Sequence, residues 1–310
     1  MAEIRRPERL REGDRIAIVS PASSVKEEYV AGAMEEIRRR GYEPMMLPHT
    51  LGPEDGNFAS TRSERIIDLV DALEDESVKA ILCARGGYGC CQLLGYLSPG
   101  LVTHNPKWLI GFSDISALHA LWNRCGIASI HGPMAKHLAT EGEYDPCTAA
   151  LFDELENGGE FDYKFEPHEH NLPGVSEGEL RGGNFAVLND LVNTPYDILT
   201  VRDGEDVILF LEDVGESVSR VNRMLWQLEY NGTLSRVKGL IFGDFTEYHP
   251  DKKYARMEDM IRDFIKKSSL RDGTPVVFGF PTGHTERNYP LVEGSRVKLE
   301  VGEGVRLRTL

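Results

Sequence analysis

Trp108–Leu109–Ile110–Gly111–Phe112–Ser113–Asp114–Ile115 is an apolar run that stops at a glycine, with a serine one residue beyond it. Asp114 to Trp122 then has the composition of a helix. The order strand, sharp turn, helix pushes a serine out of a sheet with its Oγ exposed. It also sets the next amide, that of Asp114, at a helix N-terminus, where it can donate to an oxyanion. The esterase elbow Gly-x-Ser-x-Gly is matched only in part, because Ile115 occupies the last position. Serine and aspartate are also ordinary helix caps, so the same stretch also reads as a capped helix start.

Outward from this turn, strands and helices alternate. Strands are expected at Arg15–Val19, Pro44–Leu47, Lys79–Ala84 and Ala128–Met134, and helices at Glu27–Arg40, after Thr61 and over Cys90–Leu97. Thr61–Arg62–Ser63–Glu64 has the form of a capping box. Alternation of this kind through about residue 135 predicts an α/β fold with a mostly parallel, doubly wound sheet. Sites in such sheets form outside the carboxyl ends of the strands. Ser20, Arg85–Gly87, Ser113 and His131 all fall there. Arg85–Gly86–Gly87–Tyr88–Gly89 lets backbone approach a phosphate or an oxyanion, or simply makes a tight turn. It is neither Gly-x-Gly-x-x-Gly nor a Lys-Ser/Thr loop, so the nucleotide-binding motifs fail.

Asp145–Asn157 reads as a helix and Gly158–Gly178 as a linker. The linker carries His168 and His170, a His-x-His pair without a third spaced ligand, so no metal site is expected. The second half restarts at Glu179–Asn184, followed by a helix through Leu191. Strands are expected at Asp206–Leu211, Gly239–Asp244 and Pro275–Phe280, helices at Val218–Tyr230 and Met257–Lys267, and a closing hairpin at Val297–Leu307. The expected organisation is therefore an N-terminal α/β domain over 1–157, a linker over 158–178 and a C-terminal domain over 179–310.

A chain of 310 residues suits two domains. Its net charge of −15, from 35 basic and 50 acidic residues, leaves no basic footprint for nucleic acid or an anionic membrane. Met1–Arg6 leads into Pro7 and charged residues without an apolar segment, so no secretory leader is expected, and no run is long enough to span a bilayer. The five cysteines, an odd number with no Cys-x-x-Cys, point to free thiols and a cytoplasmic location.

A nucleophilic serine needs a base to take its proton and a carboxylate to orient that base. Glu212 follows the apolar strand Val207–Leu211, and His284 follows Val276–Phe280, so both stand at strand ends as Ser113 does. A strand-end glutamate is also a common solvated charge, and a histidine between Gly283 and Thr285 a common turn residue. Beyond these three, six segments stand in one order. They are Gly13–Ile16 with Ser20–Ala22, Ala84–Gly89, Gly111–Asp114, Leu180–Asn184, Leu211–Val214 and Gly279–His284.

Through these segments the sequence resembles the LD-carboxypeptidase family of serine peptidases, which includes murein tetrapeptide carboxypeptidases and microcin C self-immunity hydrolases. The resemblance implies Ser113 as nucleophile, Glu212 as acid and His284 as base, with the Asp114 amide and a glycine amide, Gly87, as oxyanion hole. It implies Arg85 and Asn184 near the substrate and no metal or cofactor. The implied fold is a Rossmann-like N-terminal domain with a smaller, β-rich, swivelling C-terminal domain, in a homodimer. The implied reaction is hydrolysis of the L,D-peptide bond of a murein tetrapeptide, releasing terminal D-alanine in cell-wall recycling; the microcin-type cleavage of a peptidyl or aminoacyl nucleotide is the alternative. Phe185 stands where leucine is expected, and Arg181 where tryptophan is one of the residues found, so the pocket departs from the pattern. Two other classes compete: an α/β-hydrolase esterase, against which Ile115 argues, and a two-domain ligand-binding protein without catalysis.

Overall fold

Strands covered on both faces build the first sheet. The computed structural model describes residues 4–140 and 145–310; Met1–Glu3, the start of the segment expected to lack a leader, lies outside them. The chain runs β1 (Arg15–Val19), α1 (Glu27–Arg39), β2 (Glu43–Met46), α2 (Arg62–Glu74), β3 (Val78–Cys83), α3 (Pro99–His104), β4 (Trp108–Gly111), α4 (Ser116–Arg124), β5 (Ser129–His131), α5 (Ala135–Thr140) and α6 (Pro146–Glu156). β2, β1, β3, β4 and β5 lie side by side in that order, all parallel. β1, β3 and β4 are buried almost throughout, as their unbroken apolar runs demand. Trp108 and Trp122 are wholly buried, and each indole N–H donates to a carbonyl, of Glu8 at 2.9 Å and of Lys107 at 3.1 Å. Burying a side chain of that size is worth roughly 4–6 kcal/mol before the entropy of ordering it. The capping box forms as its spacing predicts: the Glu64 N–H donates to Thr61 Oγ1 at 3.3 Å, and the Thr61 N–H to the Glu64 carboxylate at 3.0 Å.

The strand order reverses between β1 and β3, and the loops that leave their carboxyl ends meet there. The Ser23 N–H donates to the Gly86 carbonyl at 3.2 Å, the Tyr88 N–H to Ser23 Oγ at 3.2 Å, and Arg85 to the Ser24 carbonyl at 2.8 Å. Arg65, buried in α2, donates to the Pro21 carbonyl at 2.7 Å and the Gly89 carbonyl at 3.3 Å, tying both loops to one guanidinium. The helix expected over Cys90–Leu97 is instead two short 3₁₀ turns, Cys90–Gln92 and Leu94–Tyr96. Gly95 and the Ser98–Pro99 start of α3 deny an α-helix the length it needs.

The second sheet is mixed. The chain continues through β6 (Asp162–Phe165), β7 (Gly174–Asn184), α7 (Phe185–Asn189), β8 (Val207–Val214), α8 (Val218–Tyr230), β9 (Gly239–Thr246), α9 (Met257–Ile265), β10 (Val276–Val277), β11 (Leu291–Glu293), β12 (Arg296–Val301) and β13 (Val305–Thr309). The order is β10-β9-β8-β7-β12-β13-β6, without β11. β7 serves two neighbours in turn. Gly174 to Glu179 pair antiparallel with β12, and Glu179 to Asn184 pair parallel with β8. Residues 158–178 are therefore not a linker: they contain β6 and the first half of β7. Their polar alternation is that of a strand with one solvated face, which composition does not separate from a loop. The strand expected over Pro275–Phe280 shrinks to Val276–Val277, because Gly279 at φ +63° turns the chain and the Phe278 N–H is taken by the Asn171 side chain at 2.8 Å.

The chain divides into two compact units, one running to Gly159 and taking back Asn288–Glu293, the other holding Glu160–Arg287 and Gly294–Leu310. The expected boundary near 157 lies two residues away, whereas the return of 288–293 departs from a C-terminal domain continuous over 179–310. β11 adds an antiparallel edge to the first sheet, opposing Leu291 to His131, Val292 to Ile130 and Glu293 to Ser129. Three residues are too few for periodicity to announce a strand, and pairing with β5 supplies what their sequence lacks. No helix among the described residues is long and apolar enough to cross a membrane.

Candidate active site

Ser113 stands at φ +65°, a left-handed backbone that few non-glycine residues adopt. Such a conformation costs about 1–3 kcal/mol and persists only where the surroundings over-determine it. Here β4 delivers the chain to Phe112, a 3₁₀ turn over Ser113–Ile115 follows, and α4 begins at once. Asp114 turns its carboxylate inward, accepting the Cys90 N–H at 2.8 Å, and so ties the elbow to the loop after β3. Burial raises its pKa, against the lowering effect of the Cys90 and Gly89 N–H groups and of Arg65. Gly86 lies directly against the serine: a Cβ there would stand 2.8 Å from Ser113 Cβ and 3.0 Å from its Oγ. Gly87, at φ +105°, is pressed against the Ser23 side chain in the same way. The first unit thus brings together Ser113, Asp114 and the glycine turn. Arg85 is exposed beside them, its guanidinium on the Ser24 carbonyl.

In the second unit Glu212 and Asp213 stand near the end of β8, and their side chains leave the strand on opposite faces. Glu212 is fully buried, and its Oε2 accepts a hydrogen bond from His284 Nδ1 at 2.7 Å. A carboxylate only accepts, so Nδ1 carries the hydrogen and Nε2 of a neutral ring is left as a base. Burial by itself lowers the His284 pKa, but the hydrogen bond and charge of Glu212, with Asp213 and Glu247, outweigh it and hold the value above the ordinary one. Gly283, at φ +108°, makes the pairing possible: a Cβ there would lie 2.6 Å from Glu212 Oε2.

Asp213 faces the other way. It accepts from Asn184 Nδ2 at 3.2 Å, the Ala186 N–H at 2.9 Å and its neighbour Val214 N–H at 2.9 Å. Burial and the charges of Glu212 and Glu216 push its pKa up to about 7. Asn184, expected near the substrate, is itself buried and caps α7 by accepting the Val187 N–H at 3.2 Å. The anchoring of Asn184 and α7 by Asp213 escapes sequence reasoning. Its one sequence signal is a second acid immediately after the strand.

His168 and His170 do not converge on an open position. The His170 N–H donates to His168 Nδ1 at 3.2 Å, His170 Nε2 faces Asp259 at 3.3 Å, and both rings pack on Phe278. Among the described residues no group of three His, Cys, Asp or Glu side chains could hold a metal ion.

Comparison with known proteins matches residues 16–132 to the LD-carboxypeptidase N-terminal domain and residues 177–299 to the LD-carboxypeptidase C-terminal domain. The chain belongs to the LD-carboxypeptidase family. It is 31% identical to a probable murein peptide carboxypeptidase of Bacillus subtilis, over 96% of this chain and 92% of that one. Identity to the murein tetrapeptide carboxypeptidase of Pseudomonas aeruginosa is also 31%, over 95% and 94%. The crystal structure of muramoyltetrapeptide carboxypeptidase from Oxalobacter formigenes superposes with a TM-score of 0.84 at 29% identity, covering 95% of this chain and 98% of that one. The microcin C7 self immunity protein MccF shares the fold, with a TM-score of 0.84, at 20% identity and 98% coverage of both chains. Both segments that frame the candidate residues of this LD-carboxypeptidase, 111–114 and 279–284, fall inside the matched domains.

Proposed function

We propose that this LD-carboxypeptidase is a serine enzyme that releases terminal D-alanine from murein tetrapeptides. In this reading His284 Nε2 takes the proton of Ser113 Oγ as the oxygen attacks the scissile carbonyl. Glu212 holds the ring and stabilises the imidazolium that forms. The Asp114 and Gly87 N–H groups receive the tetrahedral oxyanion, and His284 then returns the proton to the departing amine of D-alanine. Water repeats the sequence on the acyl-enzyme. The observation that carries this is the Glu212–His284 hydrogen bond, 2.7 Å long around a fully buried carboxylate. A buried acid bonded to a histidine that remains partly open is the arrangement a general base requires.

Arg85, exposed next to the glycine turn, is the residue of this reading that meets the substrate carboxylate. Asn184 shapes the pocket through α7. The relatives named for murein peptides favour that substrate over the nucleotide conjugates of microcin immunity, since MccF at 20% identity speaks to fold alone. No disulfide joins any of the five cysteines among the described residues, which supports a reducing, cytoplasmic setting. A homodimer follows from the family resemblance, and sedimentation analysis tests it.

The deciding experiment offers the enzyme a murein tetrapeptide ending in D-alanine and its isomer ending in L-alanine, with wild type and Ser113→Ala. Wild type is expected to cleave the first and leave the second nearly untouched. Ser113→Ala is expected to lose activity by several powers of ten while remaining folded. Equal cleavage of the isomers overturns the specificity, and an active Ser113→Ala overturns the nucleophile.

A further inference from the structure

Directly behind the serine turn lies a buried histidine that the proposed mechanism does not use. His119, on α4, is fully buried. Its Nε2 lies 2.8 Å from the Gly111 carbonyl oxygen and its Nδ1 2.8 Å from Ser129 Oγ. A carbonyl oxygen can only accept, so Nε2 carries a hydrogen and donates to Gly111. Burial lowers the ring's pKa to about 4, so it is neutral at physiological pH and Nδ1 is an acceptor. The Ser129 hydroxyl therefore donates to Nδ1, which selects this tautomer. Glu293 of β11 lies 4.0 Å from Nδ1 and directly across the strand pair from Ser129.

The partners make this more than a satisfied core histidine. Gly111 is the last residue of β4, two residues before Ser113, and α4 is the helix that follows the turn. The Nε2–H bond thus runs from the helix after the elbow back to the end of the strand before it, and closes the turn as a staple. The Gly111 carbonyl also accepts the Gly132 N–H at 3.1 Å, which fixes the same oxygen to the loop after β5. Ser113 at φ +65° needs this kind of over-determination, because a relaxed backbone would carry the Oγ elsewhere.

We propose that His119 is a positioning residue for the nucleophile: held in one tautomer by Ser129, it staples α4 to the end of β4 and keeps Ser113 in its strained, reactive conformation. This rests on Ser113 being the nucleophile.

The test uses the full-length protein with His119→Phe, His119→Gln and Ser129→Ala. Three quantities are read: the melting temperature, the second-order rate at which a fluorophosphonate labels Ser113, and kcat and KM for the murein tetrapeptide. His119→Phe keeps the ring's bulk and removes both polar atoms. It is expected to lower labelling and kcat by about tenfold or more with KM changed less than about twofold, because attack geometry suffers while substrate contacts do not. His119→Gln, whose amide can donate to Gly111 and accept from Ser129, is expected to recover most of the loss. A folded His119→Phe with wild-type labelling and kcat overturns the proposal, as does a folded His119→Gln no better than His119→Phe. Where His119→Phe does not fold, Ser129→Ala decides: about a threefold fall in labelling and kcat supports the role, and wild-type values refute it. Failure of the nucleophile assignment looks different, since wild type would then not be labelled at Ser113 and Ser113→Ala would keep its activity.

Discussion

A residue in this protein acts through what its neighbours permit. In the proposed mechanism His284 serves as base because a buried carboxylate that can only accept holds Nδ1, and Glu212 has that position because Gly283 and Gly243 leave room for it. Glu212→Gln keeps the shape but presents an NH₂ that donates, favouring the wrong tautomer. A fall of about 10²–10⁴ in kcat with little change in KM is expected, and steady-state kinetics on the tetrapeptide measure it. The pH profile follows with a definite sign. Burial lowers the His284 pKa and the Glu212 pairing overcomes it, so in wild type kcat/KM falls away below a limb lying above the ordinary histidine value. In Glu212→Gln that limb moves down. The same shift makes the folded state prefer a proton on His284. The stability this contributes is fully present below the unfolded value and is lost as pH rises through the raised one. Gly86 gives a sharper steric test. Its alanine variant would place a Cβ 2.8 Å from Ser113 Cβ, so fluorophosphonate labelling is expected to slow by about tenfold or more with the fold intact, and wild-type labelling would refute the close approach.

Elements are held by their ends and by the strands beside them. Thr61 and Glu64 satisfy each other's backbone N–H groups at the start of α2. Thr61→Ala is expected to cost about 0.5–2 kcal/mol in a denaturant titration and to leave kcat/KM unchanged. Arg65, three residues inside the same helix, is different. Its guanidinium bonds the carbonyls of Ser60, Pro21 and Gly89 and the side chain of Gln92, and so clamps the loops after β1 and β3. Arg65→Met removes the donor to the buried Ser60 and Pro21 carbonyls and one of the two donors to that of Gly89, and a loss of about 3 kcal/mol or more is expected, together with slower labelling of Ser113. Unchanged labelling in the folded variant would show that the clamp is structural only. β7 illustrates the other control, since one strand of eleven residues is half-solvated where it meets β12 and buried where it meets β8.

At the scale of the whole molecule, the chain crosses into its second unit at Glu160, returns to the first for Asn288–Glu293, and crosses again to finish β12 and β13. Each unit is centred on its own sheet, and each carries one part of the proposed chemistry: the strained serine just past the end of β4 in one, Glu212 near the end of β8 with His284 from the loop after β10 in the other. Neither part calls on metal ligands. The only His-x-His pair is engaged with Phe278 and Asp259. Prolonged chelation with EDTA is therefore expected to leave kcat/KM unchanged; loss of activity restored by zinc would overturn the serine mechanism.

Sequence alone determined the parallel sheet of the first unit, because unbroken apolar runs alternating with amphipathic helices admit few other arrangements. It also determined the serine turn, since an apolar strand, a glycine and a helix start leave a serine between them at a bend. Glu212 was legible as a strand-end residue, whereas His284, expected at a strand end too, lies in a loop seven residues past β10. Their pairing was an expectation of the family resemblance only; the residues themselves stand 72 positions apart and did not show it. Residues 158–178 looked like a linker because a strand solvated on one face has the composition of a loop until a neighbour pairs with it. β11 is too short for periodicity to mark. The inward-facing roles of Asp114, Asp213, Arg65 and His119 depend on which backbone groups lie opposite them. Those groups come from distant segments, and only the folded chain brings them within hydrogen-bonding distance.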